Sequence, residues 1–456
     1  MKSPLVTVYI TNYNYGKFIR KAIESILNQT LKDIELIIID DGSTDNSKDI
    51  IEEYSNHDII SIIYQKNRGL NITNNVALKA SKGKYIVRLD ADDYMELNAL
   101  KKMSDFLEND DELGLIFPNY YIVDIDGNEL SEIKRHDFKK EVNILDQPAH
   151  GACTMIRTNY LKEIGGYDES YRCQDGYELW VKFINKFKVT NINETLFSYR
   201  RHNNNLTNNE NRILGTRQRI KQAYVSKNNL NLPRTTAIIP LRPNYDTALE
   251  LFGNVTFLEV KINELVKATN VSEIIVTTSD KRIETFVLEK GLNVTFVKRP
   301  EITERINVSL FQTLVFLENN NYLNNSDACL FCAVSFPFVN AGIIDDAVNT
   351  LSIFKADSLI SVRPEGNKFY RHTGDGMQAI LKQDMFTKME RESIYKYTGG
   401  VLLSNKKSAL KNGKLVHGNV GHIVVGEQAS LNVDSSFERK VSYSLLAEQQ
   451  IEKTTV

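Results

Sequence analysis

The chain has 456 residues, 42% of them hydrophobic and 25% charged, a composition typical of a soluble globular protein with about two or three domains. Its formal net charge of -2 gives no general basic field, so we expect no nucleic-acid partner. No apolar run approaches the roughly 20 residues of a bilayer span, so we expect no transmembrane segment. The N-terminal "MKSPLVTVYITNYN" lacks a signal-peptide core. A cytoplasmic location is expected, with peripheral binding at the inner membrane face as the alternative.

The first half of the chain alternates predicted strands with predicted helices. Apolar residues at helical spacing predict a helix over "GKFIRKAIESILNQT". Further helices are expected over "STDNSKDIIEEYSN", with capping residues at its start, and over "LNITNNVALKASKG". Four apolar segments predict strands: "LVTVYITNY", "DIELIIIDDGS", "ISIIYQKN" and "KYIVRLD". Continuous apolar strands indicate a parallel sheet covered on both faces, so the expected fold class is α/β.

The composition changes around residues 205–235, where an Asn-rich segment precedes a predicted helix and a short linker. The alternation then restarts, with strands predicted over "TTAIIPL", "SEIIVTTSD", "NVTFVKRP", "DACLFCAVSF" and "DSLISVRP". We therefore expect two Rossmann-like, nucleotide-binding-type domains, residues 1–230 and 231–456. Cys329 and Cys332 form a C-x-x-C motif, but strand periodicity puts their side chains on opposite faces. We expect them to be core cysteines.

Polar residues follow each predicted strand of the first half. Ligands of open α/β sheets bind outside the carboxyl ends of the strands, so these residues are expected to converge at one edge. Asn and Asp are also common turn formers and helix caps, which is the alternative reading. The residues are those at 11–14, 40–43 and 67–69, followed by Asp90, Asp92 and Asp93.

Three carboxylates stand within four residues in "YIVRLDADDYM". Like charges this close repel, and each carboxylate is costly to bury without a partner. A turn open to solvent would accept them. A divalent cation would also explain them, because carboxylate oxygens suit Mg²⁺ or Mn²⁺, which in turn ligate phosphate oxygens.

The series "PLVTVYITNYNYGKFIRKAIESILNQT", "IELIIIDDGSTDNS", "KNRGLNITNNVALKASKGKYIVRLDADD", "GACTMIRTNYLKEIGGYDE" and "QDGYELWVKF" resembles a family 2 glycosyltransferase of the GT-A fold. The resemblance covers roughly residues 3–205. It implies an enzyme that moves a sugar from a nucleotide diphosphate donor to an acceptor, with inversion, and uses Mn²⁺ or Mg²⁺. A UDP-sugar is the expected donor.

The resemblance also implies roles for single residues of the donor site. Thr11, Tyr13 and Asp41 would hold the nucleoside, with Tyr13 near the base and Asp41 accepting from its ring N–H. Arg68 would contact the base or the phosphates.

The same resemblance assigns the acidic turn. Asp90 would contact the ribose or a metal-bound water and therefore belong to both the donor site and the metal site. Asp92 would bind the metal directly. His202, in "YRRHNNN", is a further candidate for the diphosphate or the metal, with a solvated loop histidine as the alternative.

An inverting transfer needs one carboxylate to take the proton of the acceptor hydroxyl. The resemblance puts this base in an acidic motif before a helix, and "CQDGYELW" offers Asp175, with Glu178 as the runner-up. Gln174 stands where the family has the first acid of a pair. The alternative reading is that Asp175 only caps the following helix.

The second half, over about residues 235–448, is similar to the cytidylyltransferases that make CMP-activated nonulosonic acids such as sialic acid. The motifs are "TTAIIPLR", "SEIIVTTSDKRIETFVLEKG", "VKRPE", "YTGGVLLSN" and "EQASLNVDSSFE". The chain departs where the phosphate loop should be, since only Arg242 is left in "PLRPNYDTALELFGN". The paired metal-binding aspartates read Asn432 and Asp434. A degenerate domain that lacks catalysis is therefore expected, which would bind a partner, hold a nucleotide sugar weakly or form a homodimer. The homodimer is suggested by "FYRHTGDGMQAILKQDMFTKMERESIYKY", which matches in position the extension through which such synthetases dimerise.

We expect an enzyme of surface glycan or glycoprotein synthesis with a glycan, lipid-linked or protein acceptor. A second hypothesis is a bifunctional enzyme whose C-terminal half makes a CMP-activated acidic sugar. A third is a non-catalytic binding scaffold, and the intact acidic turn argues against it for the first half.

Overall fold

The structure is a computed structural model, in which residues 3–134, 151–202, 210–365, 369–372, 377–379 and 394–454 are described. These residues fall into two compact α/β units. Unit 1 contains the described residues up to 220 with 369–372 and 377–379, and unit 2 contains 221–365 and 394–454. The predicted α/β class is confirmed, whereas the domain boundary near residue 230 stays a prediction. None of the described helices is long and apolar enough to cross a bilayer.

The helices and strands follow the predicted alternation. Up to residue 227 they are β1 (Val6–Asn12), α1 (Gly16–Leu27), β2 (Ile34–Asp40), α2 (Ser47–Glu52), β3 (Ile60–Tyr64), α3 (Leu70–Ala80), β4 (Tyr85–Asp90), β5 (Tyr94–Met95), α4 (Ala99–Glu108), β6 (Leu113–Val123), β7 (Glu129–Ile133), β8 (Met155–Arg157), α5 (Thr158–Glu163), α6 (Asp175–Ile184), β9 (Lys188–Arg200) and α7 (Glu210–Lys227). After it come β10 (Thr235–Pro240), β11 (Leu251–Phe252), β12 (Val255–Thr256), α8 (Phe257–Lys267), β13 (Val271–Thr277), α9 (Lys281–Glu289), β14 (Thr295–Val297), α10 (Leu310–Asn319), β15 (Ala328–Cys332), α11 (Ala341–Ile353), β16 (Ser358–Glu365), β17 (Tyr370–His372), β18 (Met377–Ala379), β19 (Ile394–Asn405), α12 (Lys406–Asn412), β20 (Val420–Val424) and α13 (Ser436–Thr454).

The sheet of unit 1 runs in the order β3-β2-β1-β4-β8-β6-β9-β5, with β7 paired to β6. The first four strands in this order are parallel. Every residue of β1 is buried, and neighbouring positions lie in different cores: Val8 faces one and Tyr9 the other. Burial on both faces explains why these strands are continuously apolar in the sequence.

The register of these strands aligns their carboxyl ends. Thr11 pairs with Asp90 across β1 and β4, and Asn12 pairs with Asp40 across β1 and β2. Asp40 in turn pairs with Tyr64 of β3. The polar residues that follow the four strands therefore begin at one edge of the sheet, as the sequence predicted.

The start of α2 differs from the predicted capping. Asn46, at the N-cap position, makes no side-chain hydrogen bond to the helix. The side chain of Asp45 accepts instead from the backbone N–H of Ser47 at 3.0 Å and of Gly16 at 2.8 Å. One carboxylate of the acidic segment "DDGSTDNS", that of Asp45, thus fixes the start of α1 as well as that of α2.

The sheet of unit 2 runs in the order β14-β13-β10-β15-β19-β16-β20. Strands β14, β13, β10 and β15 are parallel, and β19 is antiparallel to both of its neighbours, β15 and β16. Cys329 and Cys332 of β15 are buried, unpaired, and belong to the cores on opposite sides of the sheet. Burial raises the pKa of the Cys329 thiol to about 12 and of the Cys332 thiol to about 11. The prediction of core cysteines is confirmed.

Candidate active site

Asp90 ends β4 and lies at the centre of the polar edge of unit 1. Its Oδ1 accepts a hydrogen bond of 3.1 Å from Thr11 Oγ1 and lies 2.9 Å from the Nε of Arg88. Burial raises the pKa of the Asp90 carboxyl, Arg88 opposes the rise, and the neighbouring Asp92 adds to it. Arg88, in the same strand as Asp90, therefore offsets part of the cost of holding this acid next to Asp92.

Asp93 contacts Arg200 at the end of β9. Its Oδ1 accepts the backbone N–H of Arg200 at 2.9 Å, and the Nε of Arg200 donates to the carbonyl oxygen of Asp92 at 2.8 Å. Burial, and then the charges of Asp92 and Asp90, raise the pKa of Asp93 well above its usual range. Asp93 and Arg200 thus hold the turn in shape.

Asp92 faces His202, with 2.9 Å between Oδ2 and the imidazole Nε2. Each of these side chains is 8% exposed. The imidazole is stacked on Phe18, with ring centroids 5.9 Å apart, and the edge of Tyr15 lies beside it. Asp92 and His202, two of the residues named from the sequence for the metal, thus lie side by side next to two aromatic rings, and their role stays a prediction.

A carboxylate next to an imidazole fits a divalent cation of the Mn²⁺ type, which accepts both oxygen and nitrogen ligands. Within the described ranges, no three His, Cys, Asp or Glu side chains form a ready-made metal cluster. Asp92 and His202 are therefore two neighbouring side chains that could hold such a cation.

Arg88 is the functional candidate that sequence reasoning missed. Its guanidinium is 4% exposed and lies between two carboxylates, with Nη1 on Asp175 and Nε on Asp90. Burial opposes the charge of Arg88, but Asp175 and Asp90 outweigh it and hold the pKa above the usual range. An arginine inside the apolar strand "YIVRLD" was the available signal, because a buried cation needs an anionic partner.

Asp175 is the first residue of α6 and is 8% exposed. The preceding Gln174 has a left-handed backbone, with φ of 65°, which turns the chain sharply into the helix. Gly151 lies against this ion pair, since a Cβ there would be 2.6 Å from Arg88 Nη2 and 2.7 Å from Asp175 Oδ2. The carboxylate is held on the edge of the sheet by backbone geometry and by a tight contact.

Glu178, the runner-up for the base, has a different environment. It is 3% exposed and forms an ion pair with Lys182, one turn further along α6. Burial raises the pKa of Glu178, and Lys182 opposes the rise. The structure connects Asp175, but not Glu178, to the acidic turn through Arg88.

Asp41 is buried and accepts hydrogen bonds from the loop that follows β3. Its Oδ1 accepts from the Gln65 side chain at 2.7 Å and from the Arg68 backbone N–H at 2.9 Å, and Oδ2 accepts from the Gly69 N–H at 2.8 Å. The side chain of Arg68 is exposed, and Tyr13 is 47% exposed. These predicted nucleoside contacts lie around the same edge.

The predicted remnants in unit 2 are engaged with other residues. Asp434 accepts a hydrogen bond of 2.6 Å from the hydroxyl of Tyr245. Arg242 is exposed, and its charge adds to the effect of burial in lowering the pKa of Arg299, which Glu304 opposes. No contact joins Arg242 to Asp434 in the described part of unit 2.

The family model "Glycosyl transferase family 2" matches residues 7–165. An uncharacterized glycosyltransferase of Methanocaldococcus jannaschii is 35% identical over 209 residues, 44% of this chain and 72% of that protein. A chondroitin synthase of Escherichia coli is 30% identical over 203 residues, 44% of this chain and 30% of that protein. This chain therefore matches less than a third of the length of the chondroitin synthase.

Two solved structures are similar at a lower level. TarS of S. aureus in complex with UDP has a TM-score of 0.40 and 18% identity, over 48% of this chain and 65% of that one. The mannosyltransferase PcManGT from Pyrobaculum calidifontis, in complex with GDP-Man and Mn2+, has a TM-score of 0.39 and 17% identity, over 51% of this chain and 66% of that one.

Proposed function

Since the chain belongs to glycosyltransferase family 2, we propose that unit 1 transfers a sugar, with inversion, from a nucleotide-diphosphate sugar to an acceptor hydroxyl. The observation that carries the proposal is the buried series Asp90–Arg88–Asp175, which joins the acidic turn to a carboxylate at the start of a helix. Donor and base would then be held by one connected group of side chains. The acceptor is a glycan, a lipid-linked glycan or a protein.

The donor nucleoside is assigned to Thr11, Tyr13 and Asp41, and a UDP-sugar is the proposed donor. Asp41 Oδ2 accepts one N–H in the structure, from Gly69. A carboxylate oxygen has about two acceptor positions, so Oδ2 keeps one for the ring N–H of a nucleobase. Tyr13 is exposed enough to cover the base, and Arg68 lies in the same loop as Gly69.

Asp92 and His202 are proposed to hold Mn²⁺ or Mg²⁺, with Asp90 beside them. When bound, the cation supplies charge neutralisation to the departing diphosphate. The chain's own contribution is to fix Asp92 through the tight turn around Asp93 and Arg200, and to orient the imidazole between Phe18 and Tyr15. Those contacts keep both ligands on the polar edge before any donor arrives.

Asp175 is proposed as the base. It takes the proton of the acceptor hydroxyl while the new bond to sugar C1 forms and the bond from C1 to the diphosphate breaks. Arg88 keeps this carboxylate in place and, through Asp90, ties its position to the donor side of the site. Glu178 pairs with Lys182 and is not linked through Arg88 to Asp90, so it is the weaker choice.

Binding of a nucleotide sugar tests this proposal before any acceptor is known. Wild-type protein is titrated by calorimetry with UDP-, GDP-, dTDP- and CMP-sugars in the presence of Mn²⁺. We expect at least one of them to bind, with the UDP-sugar tightest. If none binds, with or without the metal, the proposal is wrong.

For unit 2 we propose a degenerate cytidylyltransferase-like domain that lacks catalysis and makes a homodimer. The support for the loss of catalysis is that two of its arginines are paired internally: Arg282 contacts Asp280 and Asp246, and Arg299 contacts Glu304. A triphosphate would have to displace these carboxylates. Pyrophosphate release from CTP would favour the bifunctional alternative instead, and a monomer in light scattering at micromolar concentration would contradict the dimer.

A further inference from the structure

The loop before α6 and the face of α7 that packs on it form an arginine-rich surface next to Asp175. We propose that this surface binds an anionic group of the acceptor, such as a uronic-acid carboxylate, with Arg217 as the main contact. The inference rests on the proposed function, because it assumes that the acceptor reaches Asp175. It goes further by naming the chemical class of the acceptor.

Arg217 is half-buried, and its surroundings hold it in one orientation. Its Nε donates to the side-chain oxygen of Gln174 at 2.7 Å, and the guanidinium lies 4.8 Å from the ring centroid of Tyr177. In the part of the chain that the structure describes, no carboxylate lies within ion-pair distance of Arg217. A guanidinium fixed through one nitrogen keeps its remaining N–H groups for a ligand.

Gln174 makes this arrangement unusual. An acidic residue at this position would neutralise Arg217, whereas the amide oxygen of Gln174 orients the guanidinium and leaves its full charge in place. Because Gln174 directly precedes Asp175, a cation that is oriented but not neutralised stands beside the proposed base. The guanidinium of Arg217 can therefore attract an acceptor that carries an anionic group and bring it close to Asp175.

A second arginine extends the surface. Arg219 is exposed, lies 5.9 Å from the ring centroid of Tyr171, and donates to Thr216 Oγ1 at 3.3 Å. Thr216 also accepts from the Cys173 thiol, so the loop before α6 and this part of α7 are joined. Aromatic rings beside arginines suit a sugar that has an apolar face and a charged substituent.

Nearby acids do not remove this charge. Asp168 is satisfied by Ser170, Glu169 accepts from Asn75, and Glu178 is paired with Lys182. The last of these is buried and cannot reach the surface. Among the described residues, these three acids therefore leave the charges of Arg217 and Arg219 in place where an acceptor would approach Asp175.

Arg217→Gln in the full chain tests the inference, with Arg20→Gln as the matched control, since Arg20 is an exposed arginine of α1 paired with Glu53. The probes are an oligosaccharide ending in glucuronic acid and its carboxyl-reduced form ending in glucose. Binding is measured by NMR titration, and release of nucleoside diphosphate from the donor without acceptor is measured separately. We expect wild-type protein to bind the acidic probe roughly tenfold or more tightly than the neutral one.

In Arg217→Gln this preference should disappear, through weaker binding of the acidic probe only, while Arg20→Gln keeps it. Donor hydrolysis without acceptor is measured in all three proteins, so that a change at the donor site is recognised separately from a change in acceptor binding. The inference is overturned if wild-type protein does not prefer the acidic probe, or if Arg217→Gln keeps the preference. Absence of donor hydrolysis in the wild type would instead contradict the proposed function, so the two failures are distinguishable.

Discussion

Arg88 and Asp175 are 87 residues apart in the chain and form one buried ion pair. The position after a strand singled out Asp90 and Asp92, and the family resemblance singled out Asp175, whose role as the base stays a prediction. They could not predict the partner of Arg88, because a contact between β4 and the start of α6 depends on the tertiary fold. The sequence could show only that a cation inside an apolar strand needs an anion.

We predict that Arg88→Met lowers the free energy of unfolding by about 3–5 kcal/mol, because it leaves the buried Asp175 and the half-buried Asp90 without their cation. Arg88→Lys should lose less stability but also lose transfer activity, since one ammonium cannot contact Asp90 and Asp175 as a guanidinium does. Urea unfolding measures the first effect, with the exposed Arg20→Met as a control that should change little. A midpoint for Arg88→Met equal to that of the wild type would contradict this account.

Asp92→Ala should remove the part of donor binding that depends on Mn²⁺. The reason is that Asp92 is the carboxylate directly opposite His202, and no other acid of the turn has that position. Calorimetric titration with UDP, with and without Mn²⁺, measures the effect, and the exposed Asp126→Ala serves as the control. Equal stimulation by Mn²⁺ in wild type and Asp92→Ala would exclude Asp92 as a ligand.

Asp175→Asn should lower the transfer rate by about 10²–10⁴-fold and leave donor affinity nearly unchanged, because the amide cannot take the acceptor proton. Donor affinity by calorimetry and transfer rate are measured on the same preparation. Glu178→Gln is the matched comparison on α6, and it should keep most of the rate. If the two variants exchange these results, Glu178 is the base.

At the level of elements, the sequence predicted the strands and helices of the core well. Apolar runs predicted β1 to β4, and the apolar stripe of α1 is buried at Ile19, Ala22, Ile23 and Ile26. The sequence did not predict which residue fixes the start of α2, because each acid of "DDGSTDNS" could cap a helix, stabilise a turn or contact a ligand. Which one does so depends on α1, whose first N–H is bound by Asp45.

The segment before β8 gives a prediction at this scale. Gly151→Ala should reduce transfer activity and destabilise the protein by about 1–3 kcal/mol, because its Cβ would press on Arg88 and Asp175, which are both buried. Gly215→Ala on α7 is the matched control, since a Cβ there meets nothing within 4 Å, and it should stabilise the helix slightly. Normal activity in Gly151→Ala would show that this contact does not position the pair.

At the level of the whole molecule, the stability of unit 2 is expected to depend on pH through one buried lysine of its core. Lys261 is fully buried and donates to the carbonyl oxygens of Phe336 and Val339 at 2.9 and 3.1 Å. Burial lowers the pKa of Lys261 to about 8. The value in an unfolded chain is roughly 10.4, so unfolding takes up a proton between about pH 8 and pH 10.

The contribution of Lys261 to stability should therefore rise from about pH 8 to pH 10 and be constant above that range. Urea unfolding of wild type and Lys261→Met across this range measures it as the difference between the two, which cancels the titration of cysteines and tyrosines. A difference that does not change with pH would contradict a neutral, buried Lys261.

Turnover of a nucleotide sugar tests the central claim most directly. Wild type, Asp92→Ala and Asp175→Asn are incubated with UDP-, GDP-, dTDP- and CMP-sugars and Mn²⁺, and release of the nucleotide is followed with a panel of glycan acceptors. We predict metal-dependent release and transfer by wild type with one donor, none by Asp92→Ala, and donor binding without transfer by Asp175→Asn. Absence of turnover in wild type with every donor and acceptor, or full transfer by Asp175→Asn, would contradict the account.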